Sequence, residues 1–143
     1  MKKKVLIVCA DYYWNTTLSL KNDAENILDK ANIKHHSIHV PGVFEIPVII
    51  SKNIKKYDGF IALGCVIKGE TTHFDYISKT TFEAIMNLSI QSKKPIGNGI
   101  ITALNSSQAT QRSGNPEAVL DKKKREKGKG REAAKAVIAV LKN

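Results

Sequence analysis

The sequence predicts an α/β protein, a three-layer α/β/α sandwich around a four-stranded parallel sheet. Short apolar runs alternate with segments of helical apolar spacing along the whole chain, which is the order of successive βα units. The 143 residues are enough for a single domain, residues 1–143, whose core needs no disulfide or metal support. Hydrophobic residues make up 42% and charged residues 25%, so the composition excludes a disordered or fibrous chain.

Four runs rich in aliphatic residues predict the strands of the sheet. Three of them, Lys4–Ala10, Gly59–Ile67 and Ile96–Ala103, are long enough to cross a domain core. A shorter strand is expected over residues 37–40, because Pro41 and Gly42 then turn the chain. The four strands supply the parallel sheet.

Five segments between and after these strands carry apolar residues three and four positions apart, the spacing of one helix face. They cover residues 17–31, 44–54, 73–91, 105–113 and the stretch from Gly130 onwards. Thr16 or Thr17 can cap the first helix, and Pro47 must lie in the first turn of the second. Residues 114–129 combine a proline and glycines with a cluster of basic residues, so we expect an exposed, mobile loop there.

The chain carries 23 Lys and Arg against 13 Asp and Glu, and its net charge of +10 raises the question of a nucleic-acid partner. The positive charges concentrate at residues 2–4 and 122–131, where no aromatic residue is interleaved to stack on bases. We therefore predict no nucleic-acid partner, while a smaller anionic ligand stays open.

The location of the protein is indicated by three features of the sequence. No apolar stretch approaches the roughly 20 residues that a transmembrane helix requires, so no membrane span is predicted. The lysines and apolar run at the amino terminus resemble a signal peptide, but bulky residues such as Tyr12 and Trp14 follow where a cleavage site needs small ones. Cys9 and Cys65 lie inside apolar runs, which indicates buried reduced thiols and favours a cytoplasmic protein.

Ligands of parallel α/β sheets bind beyond the carboxyl ends of the strands, and polar, aromatic or glycine-rich segments follow all four predicted strands here. In the third, Gly69 permits close backbone approach, and Glu70, Thr71 and Thr72 precede a helix whose free N–H groups attract an anion. His73 begins that helix and is a candidate for proton transfer near neutral pH. Thr71 or Thr72 as a plain helix cap is an equally good interpretation.

Other chemistries find little support. The chain has no glycine-rich nucleotide motif and no nucleophile elbow. His35, His36 and His39 alternate faces if they lie on a strand, and no carboxylate or thiol joins them in the sequence, so no metal site is predicted. Trp14 is either a core residue or an aromatic plate on which a planar ring stacks.

Two long segments carry a resemblance to a known family. Residues 40–47, with the sequence VPGVFEIP, and residues 63–76, with the sequence LGCVIKGETTHFDY, resemble signature segments of the 6,7-dimethyl-8-ribityllumazine synthase family. Trp14 and Asn15 stand in the place of its aromatic–Asn pair. The segments 108–114 and 129–134 resemble two further family segments in the same order, so the resemblance covers nearly the entire chain.

The resemblance implies a flavodoxin-like fold and an enzyme of riboflavin biosynthesis that needs no metal and no organic cofactor. The reaction would condense 5-amino-6-(D-ribitylamino)uracil with 3,4-dihydroxy-2-butanone 4-phosphate to 6,7-dimethyl-8-ribityllumazine, releasing phosphate and water. His73 would be the catalytic proton shuttle. Residues expected at the uracil ring and ribityl chain are Trp14, Gly42, Val43, Phe44, Glu45, Val66 and Ile67, and those expected at the phosphate are Gly69, Glu70, Thr71, Thr72, Arg112 and Lys129.

The chain departs from the family pattern at several positions. Asn98 stands where the family often has a Phe packed near the substrate ring from an adjacent subunit, so a hydrogen bond from Asn98 to the ring is the expected replacement. Lys68 and Gln111 replace the common Arg and Glu, and the loop between Arg112 and Lys129 is several residues longer.

The resemblance also implies a homo-oligomer whose sites lie at subunit interfaces. Some family members build hollow shells from rings of five subunits. This chain starts a few residues before its first strand, so we expect it to lack the N-terminal extension that can add a strand to a neighbour. Residues 117–127 would also place bulk and like charges where two rings would have to meet. We expect an isolated pentamer, with paired pentamers as the alternative. A ligand-binding module of the same fold without turnover and an archaeal-type riboflavin synthase are alternative functions.

Overall fold

Four parallel strands form one sheet in the computed structural model, which describes residues 2–69, 73–114 and 128–143. The strand order is β2-β1-β3-β4, which confirms the predicted α/β class with its four-stranded parallel sheet. The strands are β1 Lys4–Ala10, β2 Lys34–Val40, β3 Gly59–Ile67 and β4 Ile96–Ala103. The bounds of β1, β3 and β4 agree with the sequence prediction.

The second strand is longer than predicted, because it begins at Lys34 and pairs with β1 over its full length. The residues that the prediction missed, 34–36 with the sequence KHH, contain no apolar residue, so hydrophobic patterning could not find them. The strand lies at the edge of the sheet, where polar side chains are tolerated.

Five α-helices and one short 3₁₀ turn are described between and after the strands. They are α1 Trp14–Lys30, the 3₁₀ turn Val43–Glu45, α2 Ile46–Lys52, α3 His73–Ser92, α4 Ser106–Ser113 and α5 Lys129–Leu141. The first helix begins at Trp14 instead of residue 17, and its N-cap residue Tyr13 makes no side-chain capping bond, so the predicted threonine cap is wrong. The Oδ1 atom of Asn105 accepts a hydrogen bond of 2.9 Å from the N–H of Gln108, as a capping residue does.

The predicted loop at residues 114–129 is described only at its ends, since residues 115–127 lie outside the described part of the chain. Gly114 ends α4 in the left-handed conformation at φ 71°, and Lys129 is already helical. In the described ranges no helix has the length and apolar content needed to cross a bilayer.

Side chains alternate across the sheet and build a core on each face. Val5, Ile7 and Cys9 of β1 are fully buried in one cluster with residues of α1 and α5. Leu6 and Val8 point the opposite way into a second cluster with residues of α2 and α3. The sheet is thus covered by helices on both sides, as the three-layer prediction requires.

Parallel pairing brings the ends of all four strands to one edge, where backbone hydrogen bonds join them. The N–H of Asp11, after β1, donates to the carbonyl of Val40 in β2 at 2.8 Å. The N–H of Lys68, after β3, donates to the carbonyl of Ala103 in β4 at 2.9 Å. This carboxyl edge positions the segments described below.

The close packing of α5 on β4 predicts the effect of one substitution. Gly97→Ala places a Cβ atom against the carbonyl of Ala133, a backbone group of α5 that cannot move away without shifting the helix. We expect the free energy of unfolding to fall by about 1–3 kcal/mol, the usual cost of overpacking a core. Urea unfolding measures it, and Gly69→Ala is the control because nothing lies within 4 Å of a Cβ there. Equal midpoints for the two variants would contradict the close approach.

Candidate active site

A cavity of about 510 Å³ opens at the carboxyl edge of the sheet. We call it the histidine cavity. Its lining residues come from the turn after β1, the 3₁₀ turn after β2, the end of β3 and the start of α3, and they are Tyr12, Tyr13, Gly42, Val43, Phe44, Glu45, Cys65, Val66, Ile67, His73 and Ile77. Three of the four segments that the sequence singled out therefore meet in one place.

The 3₁₀ turn holds one side of the histidine cavity in a fixed shape. The Oε1 atom of Glu45 accepts a hydrogen bond of 3.0 Å from the N–H of Gly42, and the N–H of Glu45 donates to the carbonyl of Gly42 at 3.2 Å. Val43 is buried beneath the turn, in space that Gly64 of β3 leaves open, since a Cβ there would lie 2.7 Å from Val43 Cγ1. The carboxylate of Glu45 thus has a set position and acceptor capacity for a hydroxyl-bearing ligand.

The end of β3 gives the cavity an apolar wall. Val66 and Ile67 are half-buried there, and Cys65 is buried. Burial raises the pKa of the Cys65 thiol to about 11, so it stays protonated near neutral pH and is not a nucleophile. This wall suits the flat, weakly polar face of a heterocyclic ring.

The aromatic wall of the histidine cavity consists of Tyr12 and Tyr13. Their ring centroids lie 4.9 Å apart with an interplanar angle of 85°, an edge-to-face contact. Tyr13 packs against the core, whereas Tyr12 is 78% exposed and available to a ligand.

Trp14, expected on the uracil ring, is not among the described lining residues of this cavity. Trp14 is the first residue of α1, and its half-buried indole packs against the core and lies near His39, with ring centroids 5.0 Å apart. Sequence reasoning missed Tyr12 and Tyr13 as lining residues. Their place directly after the first strand was the signal that could have found them, since ligands bind at strand ends.

His73 is the first residue of α3 and lies exposed at the rim of the histidine cavity. Gly69 is also exposed, with nothing within 4 Å of a Cβ built there, so the approach to its backbone is open. Glu70, Thr71 and Thr72, the rest of the predicted phosphate segment, lie outside the described residues. The described part of this segment therefore offers a proton-transfer group, His73, and an accessible backbone at Gly69.

A second cavity of about 340 Å³ holds the remaining predicted site residues. We call it the arginine cavity. Its lining residues belong to β4 and to α3, α4 and α5, and they are Phe82, Asn98, Ile100, Ile101, Thr102, Arg112, Lys129 and Glu132. Its described lining has two cations, Arg112 and Lys129, against one carboxylate, Glu132, so it is suited to an anion.

The polar side chains of the arginine cavity are held by local contacts. Arg112 Nη1 donates to the carbonyl oxygen of Thr102, which ties the guanidinium to β4. Lys129 Nζ lies 3.9 Å from Glu132 Oε2, an exposed ion pair one helical turn apart. The Oδ1 atom of Asn98 accepts a bond of 3.0 Å from the N–H of Ile100, so this acceptor is already engaged within its own strand.

The two cavities share no described lining residue, so one chain does not bring His73 together with Arg112 and Lys129. Helix α3 contributes to both, with His73 and Ile77 in the first and Phe82 in the second. The predicted site is therefore divided into two half-sites on one subunit.

The three clustered histidines each contact a different neighbour. His35 Nε2 lies 2.8 Å from Asp29 Oδ1, and His36 Nδ1 lies 3.1 Å from the Tyr57 hydroxyl. His39 Nδ1 lies 2.9 Å from Asp11 Oδ1. The spacing of these residues in the sequence thus reflects three separate surface contacts on β2.

Comparison with known proteins places the chain in one family. Residues 2–143 match the family model described as 6,7-dimethyl-8-ribityllumazine synthase. The protein of that name from Bartonella tribocorum is 39% identical, over 99% of this chain and 91% of its own length. The protein of that name from Agrobacterium fabrum is 37% identical, over 98% of this chain and 93% of its own length. The one from Limosilactobacillus reuteri is 42% identical, over 76% of this chain and 73% of its own length.

Proposed function

The chain belongs to the 6,7-dimethyl-8-ribityllumazine synthase family, a family of enzymes, and from this premise we propose the reaction that it catalyses. It condenses 5-amino-6-(D-ribitylamino)uracil, here called the aminouracil, with 3,4-dihydroxy-2-butanone 4-phosphate, here called the butanone phosphate. The product is 6,7-dimethyl-8-ribityllumazine, and phosphate and water are released. The observation that carries the proposal is the histidine cavity, where an aromatic wall, a fixed carboxylate and His73 meet.

The histidine cavity suits the aminouracil. Its planar ring can stack on the exposed Tyr12 and lie against Val66 and Ile67, while Gly42 to Glu45 face the ribityl chain. Glu45 accepts hydrogen bonds from the ribityl hydroxyls, since its carboxylate is held in place by Gly42. Trp14, to which the sequence assigned the ring, stays a candidate for stacking at the start of α1, beside Tyr12.

The arginine cavity suits the phosphate of the second substrate. Arg112 can bind two phosphate oxygens with its planar guanidinium, and Lys129 adds a second positive charge. The segment from Gly69 to Thr72 is proposed as the other side of this phosphate site. Because His73 and Arg112 line different cavities of one chain, a neighbouring copy must bring its arginine cavity to the histidine cavity.

The reaction needs positioning more than strong catalytic groups. The aminouracil amine attacks the ketone of the butanone phosphate, and loss of water gives an imine. A proton then leaves the adjacent carbon, the C–O bond to phosphate breaks, and phosphate departs. The enol that this elimination leaves is protonated at its terminal carbon and becomes a ketone, which condenses with the ribityl-bearing nitrogen and closes the ring with loss of a second water. His73 accepts and returns these protons, while proximity of the two substrates supplies much of the acceleration.

Lumazine formation tests the proposal directly. The purified protein mixed with both substrates should form product, seen by its absorbance and fluorescence, far faster than buffer alone. His73→Gln should keep measurable activity but lower kcat by about tenfold or more, because it removes proton transfer and leaves positioning intact. A rate equal to that of buffer would refute the enzyme proposal.

Arg112→Ala tests the phosphate assignment. We expect the KM for the butanone phosphate to rise about 10- to 100-fold, with little change in the KM for the aminouracil, because only the first substrate carries the anion. Steady-state kinetics with each substrate varied in turn measure both constants. Lys79→Ala, which removes an exposed lysine of α3 outside both cavities, is the control for lost positive charge. Equal increases for both substrates would contradict the assignment.

We propose a pentamer as the assembly that joins the half-sites. Several large, mostly apolar side chains of α2 and α3 are more than half exposed and suit burial against a neighbour. They are Val48, Tyr76, Met86 and Ile90. Light scattering coupled to size exclusion should give five times the chain mass of 15.8 kDa. A monomer, or a particle of about sixty chains, would contradict the isolated ring.

A further inference from the structure

Exposed lysines gather at the end of the sheet opposite to the carboxyl edge. They lie in the segments before the strands or at the first residue of a strand, and parallel pairing brings all the strand starts together. They are Lys2, Lys3, Lys34, Lys55, Lys56 and Lys93. We call this surface the lysine edge. Its members come from four separate segments of the chain, so no single basic run in the sequence represents it.

Backbone bonds hold the segments of the lysine edge side by side. The N–H of Lys34 donates to the carbonyl of Lys3 at 3.0 Å, which joins the starts of β2 and β1. The N–H of Asp58, in the turn after α2, donates to the carbonyl of Lys4 at 2.8 Å. Strand β4 pairs with β3 from its first residue, which brings the turn that carries Lys93 to the same edge. The positive charges therefore lie on one continuous surface.

The helices that cover the sheet add positive charge at this end of the molecule. Lys30 and Lys52 are the last residues of α1 and α2, and Lys142 is the C-cap residue of α5. All three are exposed. The helix dipole favours lysine at a helix C-terminus, which explains these three residues without any partner. It does not explain the lysines in front of β1 or at the start of β2.

The acidic side chains nearest to the lysine edge face other groups. Asp58 Oδ2 accepts a hydrogen bond of 2.8 Å from the N–H of Lys4. Asp29 Oδ1 lies 2.8 Å from His35 Nε2, and Glu25 Oε2 lies 3.8 Å from the other nitrogen of that ring. Within the described residues, no ion pair joins a carboxylate to a lysine of this edge. Its charge is therefore available to an anionic partner.

The residue types at this end favour phosphate groups as that partner. The described arginines, Arg112 and Arg131, lie in α4 and at the start of α5, at the other end of the sheet. Interfaces between proteins are enriched in arginine and aromatic residues and depleted of lysine, whereas a lysine ammonium binds phosphate as a point charge.

The aromatic ring beside the lysine edge is not available for stacking on a base. Tyr57 lies in the turn before β3, and Lys4 Nζ lies 4.8 Å from the centroid of its ring. The ring also packs against the buried Phe60, with centroids 6.0 Å apart. Proteins that bind single strands stack bases on exposed aromatic rings, so the surface suits a duplex whose bases stay paired.

We propose that the lysine edge binds the phosphate backbone of double-stranded nucleic acid, without sequence preference. Four strands about 4.8 Å apart make the edge about 14 Å wide, and a duplex carries one phosphate per about 1.7 Å of its axis. Several phosphates therefore lie within reach of the ammonium groups, and binding releases the counterions condensed on them. A cavity of about 410 Å³, lined by Lys2, Lys3 and residues 31–33, gives one phosphate a recess.

This surface differs from the basic runs that argued against a nucleic-acid partner in the sequence. Those runs lack interleaved aromatic residues, which matter for stacking on bases, whereas contacts to the backbone of a duplex need none. The lysine edge also lies opposite to the carboxyl edge, where the histidine cavity opens. The inference is therefore independent of the proposed reaction.

Fluorescence anisotropy with a labelled duplex of mixed sequence tests the proposal. For contact with about five phosphates, a plot of the logarithm of the association constant against that of the salt concentration should have a slope of about −4 to −5. The double variant Lys55→Gln/Lys56→Gln, here called the edge variant, should bind about tenfold more weakly at about 50 mM salt, with a slope smaller in magnitude by about 2. Duplexes of DNA and of RNA should bind alike, and more tightly than a single strand of the same length.

Two further double variants remove the same charge from other places. Lys79→Gln/Lys135→Gln takes exposed lysines from within α3 and α5, and it should keep the affinity within about twofold of wild type. Lys122→Gln/Lys123→Gln, here called the run variant, takes them from the basic run that lies outside the described residues. It should lower the affinity less than the edge variant does. Circular dichroism and the thermal midpoint should match wild type in all three, since exposed lysines are replaced.

Several results would overturn the inference. An equal loss of affinity in all three variants would show that total charge decides, and a loss confined to the run variant would assign binding to that run. Competition by polyglutamate as effective as that of the duplex, at equal concentration of charge, would indicate an acidic protein as the partner. Binding to vesicles of phosphatidylcholine and phosphatidylserine without binding to the duplex would assign the edge to a membrane surface. A wild-type protein that binds no duplex at low salt would exclude the proposal outright.

Discussion

The parallel pairing of β1 with both β2 and β3 is the constraint on which the rest of the structure depends. Parallel strands need a crossover after each strand, so helices cover both faces of the sheet and every strand ends at the same edge. Short backbone bonds, such as that from the N–H of Asp11 to Val40, then hold the segments beyond the strands together. Residues 12, 42–45 and 65–67 are distant in the chain and line one cavity for this reason.

The same topology divides the proposed site. Strand β4 is an edge strand, so the helices that follow it, α4 and α5, carry Arg112 and Lys129 into a cavity of their own. This cavity shares no described lining residue with the cavity that contains His73. In the proposed assembly a second copy would supply the missing half without any change of fold, so the proposed activity depends on the proposed assembly.

The pattern of apolar residues in the sequence predicted the features of the fold that depend on side-chain periodicity. The bounds of β1, β3 and β4 followed from apolar runs. The first residues of β2 were not predicted, because an edge strand needs no apolar residues there. The aromatic wall of Tyr12 and Tyr13 was not predicted for a different reason. Three aromatic residues follow β1, and which of them line the histidine cavity depends on the residue at which α1 begins, a boundary that propensity does not fix. Motif spacing likewise could not show that the site residues fall into two cavities.

The chemistry available in the histidine cavity explains why small changes of geometry should matter so much. The thiol of Cys65 is kept protonated by burial, and His73 and Glu45 are the ionisable groups of the described lining besides the tyrosines and this thiol. Such a site accelerates a reaction mainly by holding reactive partners in contact, and a displacement of about 1 Å then costs as much as loss of a catalytic group.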